Sequence, residues 1–167
     1  LVNKTEDVTE KEYEMQEINL IELIENAIFN FSGEAFARGI EVIFLKPQEV
    51  LPKVSGDKEK ISVVMQNLLE NAIKYSNMHG KVFITLKHDD GNITFSIKDI
   101  GVVISEEGKS KIFEKFYRDP DAQKKEAIGS GIGLFTIKKI IERHKGKIWF
   151  ESTKENGTTF YFTIPIA

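Results

Sequence analysis

The stretch "NLLENAIKYS" (residues 67–76) has the pattern of a half-buried helix that carries polar residues at unusual places. Apolar residues recur every three or four positions from Asp57 onward, which predicts an amphipathic helix that Asp57 caps. At 100° per residue, Asn67, Asn71 and Lys74 fall within about 60° of one another, beside the apolar stripe. Since Asn is a mediocre helix former, two readings are open. These residues form a solvated face, or they offer amide oxygens to Mg²⁺ and an ammonium group to phosphate.

The composition excludes several classes of site. The chain has 167 residues, 41% of them apolar, and 23 basic against 26 acidic side chains give a net charge of -3. This charge does not favour nucleic acid, and the absence of cysteine excludes disulfides and thiolate metal sites. The histidines His79, His88 and His144 lack metal-ligand spacing. No apolar run reaches the roughly 20 residues of a membrane span, and no signal peptide is visible. Because the sequence begins at Leu1, we expect a cytoplasmic domain of a longer protein, such as a membrane-anchored one.

The order of predicted elements favours an α+β fold. Residues 1–17 are polar and acidic, which predicts a linker or the end of a preceding helix, and residues 18–167 form one domain. The predicted helices begin at 19, 57, 105 and 132, and the first of them is capped by Asn19 and ends at Gly39. The predicted strands cover 40–45, 81–88, 92–99, 147–152 and 158–166. Helices and strands do not alternate one for one. A largely antiparallel sheet with helices on one face therefore fits better than a doubly wound fold.

Two further stretches carry possible ligand contacts. In "GSGIGL" (129–134), three glycines at alternate positions precede a helix, so that backbone N–H groups can approach an anion. The residues around it disfavour a P-loop and a Rossmann loop, and a flexible hinge is the alternative. In "KDIGVVI" (98–104), Asp99 ends a strand, where its carboxylate can accept a hydrogen bond from an amino group such as that of adenine. An ordinary strand-to-loop turn is the alternative there.

Taken in order, these stretches resemble the catalytic and ATP-binding domain of sensor histidine kinases, in the GHKL superfamily. "NLLENAIKYS" resembles the N box, "DIGVVI" the G1 box, "IFEKFYR" (112–118) the F box, "GSGIGL" the G2 box and "NGTTFYFTIP" (156–165) the closing G3 segment. The resemblance runs from about residue 19 to 165. It implies a two-layer α/β sandwich, the Bergerat fold, with a mixed, mostly antiparallel sheet under three helices. A flexible ATP lid is expected at residues 119–128.

The resemblance also implies ATP and Mg²⁺ as cofactors. Asn71 is expected to coordinate Mg²⁺, while Asn67 and Lys74 contact phosphate or metal-bound oxygens and so carry the catalysis. Asp99 is expected to accept a hydrogen bond from the adenine amino group. The remaining residues of the implied ATP-binding set are Tyr75, Gly101, Ile104, Arg118, Gly129, Ser130, Gly131, Ile132, Gly133, Leu134 and Thr159.

Several residues have a narrower expected role by the same resemblance. Tyr75 packs near the adenine and ribose, Arg118 reaches a phosphate from the edge of the lid, and Thr159 lines the pocket floor. Phe113 and Phe116 pack in the core as anchors of the lid. His144, at the end of the last predicted helix, is expected to have a structural role, with its hydrogen bonds satisfied.

Position 67 separates the reactions of the superfamily. Its ATP hydrolases usually carry Glu four residues before the metal-binding Asn, where it activates water. Asn67 cannot accept a proton at neutral pH, so a site that holds ATP for phosphoryl transfer is implied, with positioning and electrostatics as its main tools. The expected function is a protein histidine kinase, catalytic domain only. The resemblance implies an acceptor histidine on a separate domain. The pair His88-Asp89 matches the acceptor dipeptide of such kinases but falls in a predicted hairpin turn rather than on a long helix.

One departure from the family pattern keeps alternatives open. Val103 stands where the G1 box has a second glycine, and a β-branched residue does not easily adopt positive φ. The alternative function is a degenerate domain that binds nucleotide weakly and acts through protein contacts, and Val103→Gly is then expected to tighten ATP binding. A serine kinase that acts as an anti-sigma factor shares the fold.

The resemblance also gives the expected partners. They are an upstream phosphoacceptor and dimerisation domain, whose last helix ends in residues 1–17, and indirectly a response regulator. No nucleic acid partner is expected, and the fragment itself is expected to be monomeric.

Overall fold

The computed structural model describes residues 13–115, 117 and 133–167. Within them the chain forms β1 Met15–Ile18, α1 Leu20–Asn30, α2 Ser32–Ala37, β2 Glu41–Leu45, β3 Val54–Asp57, α3 Lys58–Tyr75, β4 Lys81–His88, β5 Asn92–Asp99, a 3₁₀ turn Gly108–Ser110, α4 Leu134–Arg143, β6 Ile148–Thr153 and β7 Gly157–Pro165. None of the helices in these ranges combines the length and apolar character that crossing a bilayer requires.

Five of the strands form one mixed sheet in the order β2-β4-β5-β7-β6. β2 runs parallel to β4, and every other neighbouring pair is antiparallel. Helices α1, α3 and α4 pack over one face of this sheet. The predicted α+β sandwich with a mostly antiparallel sheet is confirmed.

Alternation along the strands divides the sheet into a buried and an outer face. On β5 the residues Ile93, Phe95 and Ile97 are buried beneath the helices. Phe95 stacks on Phe162 of β7, with ring centroids 4.7 Å apart. The residues between them in sequence point to the outer face, where Trp149 and its neighbours are partly exposed. A strand residue's parity therefore decides whether its side chain can reach the helix-covered side.

The predicted helix starts are confirmed by their caps. The Asn19 side chain accepts a hydrogen bond from the Glu22 N–H at 3.3 Å, and the Asp57 carboxylate accepts one from the Lys60 N–H at 3.0 Å. The single helix predicted from residue 19 to 39 is wrong, because it is interrupted between α1 and α2. At this break the Ser32 hydroxyl donates to the Phe29 carbonyl at 2.8 Å, a local bond that competes with helical geometry.

A small second sheet revises the N-terminal boundary. β1 pairs antiparallel with β3, so that Met15 lies opposite Asp57. The Glu14 N–H also donates to the Asp57 carboxylate at 2.8 Å. Assigning residues 15–17 to a linker was therefore wrong, since they belong to the folded domain, while residues 1–12 lie outside the described part. The short helix predicted from residue 105 is only the 3₁₀ turn, as far as the chain is described.

His144 joins the end of α4 to the start of α3. It is buried, its Nε2 accepts a hydrogen bond from the Asp57 N–H at 2.9 Å, and its Nδ1 lies 2.8 Å from the Ile140 carbonyl. Since Nε2 accepts, Nδ1 must carry the proton and donate to Ile140. The expected structural role of this histidine is confirmed.

Candidate functional site

A pocket of about 70 Å³ lies between the C-terminal half of α3, the buried face of the sheet and the start of α4. Four of its lining residues are polar: Asn71, Tyr75, Asp99 and Thr158. The apolar walls are Leu68, Ala72, Ile97, Val102, Ile104, Ile112, Leu134 and Phe160. A mostly apolar slot with a few convergent polar groups is the usual form of a small-molecule site.

Asp99 supplies the carboxylate of this pocket. It is the last residue of β5, lies opposite Thr158 of β7, and is 6% exposed. Gly157, with φ of 73°, precedes Thr158, and a Cβ there would stand 2.1 Å from the Asp99 carbonyl oxygen. Only glycine therefore lets the two strand ends approach. A buried carboxylate amid apolar walls suits a flat ligand that presents an N–H donor, as an aminopurine does.

The end of α3 is tied directly to the end of β5. Gly101 pairs with Ser76 in an isolated bridge, and the Val102 N–H donates to the Tyr75 carbonyl at 2.9 Å. A Cβ on Gly101 would stand only 1.8 Å from that same carbonyl oxygen. This close approach fixes the distance between the Tyr75 and Asp99 sides of the pocket.

The three polar residues of "NLLENAIKYS" have different surroundings. Asn71 is partly buried and lines the pocket. Asn67, one turn earlier, is buried, and its amide nitrogen donates to the Val63 carbonyl at 2.8 Å. The Lys74 ammonium lies 3.3 Å from the Glu70 carboxylate on the same helix. Only Asn71 of the three lines the pocket, so it is the residue best placed to act on a bound ligand.

Helix α4 begins at the same pocket. Its first residue, Leu134, is a lining residue, and its N-cap, Gly133, makes no side-chain capping bond. The first N–H groups of a helix attract anions through their unpaired donors and the helix dipole. An amide on α3, a carboxylate on β5 and the start of α4 thus meet around one cavity.

Comparison with known proteins gives the family. The model of the family described as "Histidine kinase-, DNA gyrase B-, and HSP90-like ATPase" matches residues 56–167. The chain belongs to this family. A solved nucleotide-free structure of the catalytic domain of histidine kinase ThkA is 34% identical, with a TM-score of 0.78 over 92% of this chain and 98% of that one.

Two relatives extend beyond the length of this chain. The adaptive-response sensory kinase SasA of Rippkaea orientalis is 42% identical over 121 residues, which are 72% of this chain and 30% of that protein. A structure of histidine kinase ThkA in complex with the response regulator protein TrrA is 32% identical, with a TM-score of 0.76, and covers 98% of this chain and 46% of that one. The chain spans less than half the length of the first curated relatives it matches.

The pocket brings together five of the residues predicted for this ATPase family's ligand site. They are Asn71, Tyr75, Asp99, Ile104 and Leu134. Gly101 and Gly133 are not lining residues: Gly101 contacts the backbone at the end of α3, and Gly133 is the N-cap of α4. The ligand roles of these residues remain predictions, as do those of Asn67 and Lys74.

The expected place of Thr159 on the pocket floor is wrong. Thr159 lies opposite Lys98 in the β5–β7 ladder, on the outer face, whereas Thr158 lies opposite Asp99 and lines the pocket. On the outer face, the side chain of Thr159 hydrogen bonds with that of Tyr161. The pKa of Tyr161 is raised, mainly by burial and to a smaller extent by the nearby Glu151 carboxylate. Counting back by twos from the buried Phe162 would have identified Thr158, because side chains alternate strictly along a strand.

Val103 does not have the backbone conformation that its position was expected to require. Its φ is not positive; among the described non-glycine residues only His79 and Lys145 have positive φ. Its neighbours Val102 and Ile104 line the pocket, whereas Val103 does not. The positive φ that would disfavour a β-branched residue is therefore absent at Val103, and the effect of Val103 on ATP binding remains a prediction.

Several predictions fall on residues outside the described part. They concern Arg118, Gly129, Ser130, Gly131, Ile132, the second lid anchor Phe116 and the lid at 119–128. The first anchor, Phe113, is described, and its ring packs against those of Phe150 and Phe160 at centroid distances of 6.0 and 6.4 Å.

Proposed function

We propose that this chain is the ATP-binding catalytic domain of a sensor histidine kinase, which transfers the γ-phosphoryl group to a histidine on a separate helical domain. The observation that carries the proposal is that Asn71 of α3, Asp99 of β5 and Leu134 of α4 line the same pocket. This arrangement supports binding of the adenine at the Asp99 end, with the triphosphate running toward the start of α4.

The identity of residue 67 supports transfer over rapid hydrolysis. Asn67 occupies the place of the water-activating Glu in hydrolases, and its amide nitrogen is engaged with the Val63 carbonyl. An amide cannot serve as a general base at neutral pH. The nearby carboxylate of Glu70 is paired with Lys74, which further weakens it as a substitute base. Phosphoryl transfer to an external nucleophile asks mainly for positioning and charge stabilisation.

The residues present fit Mg²⁺ only as a companion of the nucleotide. Across residues 13–115, 117 and 133–167, no cluster of three His, Asp or Glu side chains could hold a metal by itself. An Asn71 amide oxygen together with phosphate oxygens is a hard-ligand set that suits Mg²⁺. The ion would neutralise phosphate charge when bound. Lys74 and Asn67 are proposed to contact the same phosphates. For this, the Lys74 ammonium leaves the Glu70 carboxylate and pairs with a phosphate oxygen instead.

The proposed partners follow from the reaction. A histidine acceptor on an upstream phosphoacceptor and dimerisation domain must approach the γ-phosphate, and a response regulator would receive the phosphoryl group afterwards. ATP as the phosphoryl donor supports a cytoplasmic location. We also propose that the chain has no nucleic acid partner and that the fragment by itself is a monomer.

The proposal is tested by calorimetric titration of ATP with Mg²⁺ and with EDTA. The comparison uses the wild type, Asn71→Ala and a control, Asn77→Ala, whose exposed side chain lies just beyond the end of α3 and outside the pocket lining. Asn71→Ala is expected to lose tenfold or more of the Mg²⁺-dependent affinity and to keep its affinity in EDTA. Asn77→Ala is expected to match the wild type.

A second readout separates kinase from hydrolase. Mixed with the acceptor domain of its full-length protein, the wild type should give an acid-labile, base-stable phosphoprotein, while ATP turnover without the acceptor stays slow. Failure of the wild type to bind ATP, or fast hydrolysis without acceptor, would defeat the proposed function.

A further inference from the structure

We propose that Ser152 is a positioning residue that holds the loop 102–104 against the adenine side of the pocket. Ser152 lies on β6, is 4% exposed, and is not among the pocket-lining residues. Its effect on a ligand must therefore pass through its hydrogen-bond partners, which are Ile104 of the loop and Thr158 of β7. The proposal rests on the proposed nucleotide-binding function and goes beyond it.

The contact consists of a relay of hydrogen bonds between the sheet and the loop. The Ile104 N–H donates to the Ser152 hydroxyl oxygen at 2.9 Å. The Ser152 and Thr158 hydroxyl oxygens lie 2.7 Å apart, and the Thr158 hydroxyl donates to the Val102 carbonyl at 3.4 Å. Since Thr158 uses its proton on Val102, Ser152 donates to Thr158. Each hydroxyl thus accepts one bond and donates one.

The hydrogen-bond relay holds the residues on both sides of Val103, the position where the family pattern has a glycine. Val102 and Ile104 flank Val103, and both line the pocket. The loop is also tied at its start, where the Val102 N–H donates to the Tyr75 carbonyl at 2.9 Å. With its start held by α3 and its end by Ser152, the loop presents two apolar side chains to the ligand in a fixed orientation.

Loss of the Ser152 hydroxyl leaves a buried donor without a partner. In Ser152→Ala the Ile104 N–H has no acceptor at that place, and Thr158 loses one bond, which is costly for buried groups. The loop then relaxes away from the sheet and the adenine side of the pocket loosens. Asn71 and the start of α4 belong to other elements, so the phosphate side should be unaffected.

Calorimetric titration with ADP, in Mg²⁺ and in EDTA, tests this role. Ser152→Ala is expected to weaken ADP binding about five- to tenfold under both conditions, the size of one lost hydrogen bond. Ser152→Thr keeps the hydroxyl and should recover most of that loss. The control is Thr153→Ala, which removes the neighbouring exposed hydroxyl that accepts from the Asn156 N–H at 3.0 Å in the β6–β7 turn. It should bind ADP as the wild type does.

Amide hydrogen exchange at Ile104 supplies a readout that does not need nucleotide. The Ile104 N–H should be protected in the wild type and exchange at least tenfold faster in Ser152→Ala. Wild-type ADP affinity in Ser152→Ala, or a loss confined to the Mg²⁺-dependent part, would overturn the positioning role. If the wild type bound no ADP, the proposed function would fail by itself. Equal exchange at Ile104 in the two proteins would then separately overturn the relay.

Discussion

Replacing Gly101 by alanine tests the contact on which the shape of the pocket depends. The added Cβ would stand 1.8 Å from the Tyr75 carbonyl oxygen and 2.7 Å from the Ser76 Cα. Both are backbone atoms, so no side chain can rotate away. Because non-bonded carbon and oxygen atoms lie about 3.5 Å apart, the end of α3 and the end of β5 must separate by roughly 1.5 Å.

That separation would break two hydrogen bonds. They run from the Val102 N–H to the Tyr75 carbonyl and from the Asn77 N–H to the Ile100 carbonyl, each 2.9 Å long. At about 1 kcal/mol for each bond, with about 1 kcal/mol or more of packing strain, the loss is roughly 3 kcal/mol. For a domain of this size, a loss of that size lowers the Tm by roughly 6–12 °C.

Thermal unfolding followed by circular dichroism measures the effect. The control is Gly33→Ala in α2, where nothing lies within 4 Å of the new Cβ and the better helix former should raise stability by up to about 1 kcal/mol. ADP affinity of Gly101→Ala should also fall, because Tyr75 and Asp99 move apart. A Tm within 2 °C of the wild type, with ADP binding intact, would refute the close approach.

Three further predictions concern other parts of the domain. His144→Phe removes the acceptor of the buried Asp57 N–H and should lower the free energy of unfolding by about 1–3 kcal/mol in urea titrations; an unchanged urea midpoint would show that this hydrogen bond between α4 and the start of α3 does not stabilise the fold. Val103→Gly should leave ADP affinity within twofold and cost about 0.5–1 kcal/mol of stability, since glycine increases the conformational freedom of the unfolded chain; a clear gain in affinity would instead favour the alternative of a degenerate, weakly binding domain. Bonds from the Gly91 and Asn92 N–H groups hold the pKa of Asp89 below its usual range. The Tm advantage of the wild type over Asp89→Asn should therefore be present near pH 6 and shrink as the pH falls below about 4, and a pH-independent difference would count against it.

Local signals in the sequence were sufficient for much of the fold. The caps at Asn19 and Asp57 and the hairpin of β4 and β5 depend on neighbouring residues, and all are found where they were predicted. The ordered motifs also indicated the family, and the two residues they made central, Asn71 and Asp99, line one pocket. Helical periodicity, strand alternation and turn residues can be recognised from the sequence because each depends only on residues within or next to the element.

Contacts between distant segments were decided only by the tertiary structure. β1 and β3 have four residues each, too short to show a period, and they form because they pair across some forty residues of chain. The face that Thr158 occupies depends on register with β5, and the need for glycine at 101 depends on where the end of α3 comes to rest. A sequence shows the preferences of each segment, whereas the distance between two backbones is set only when the segments pack together.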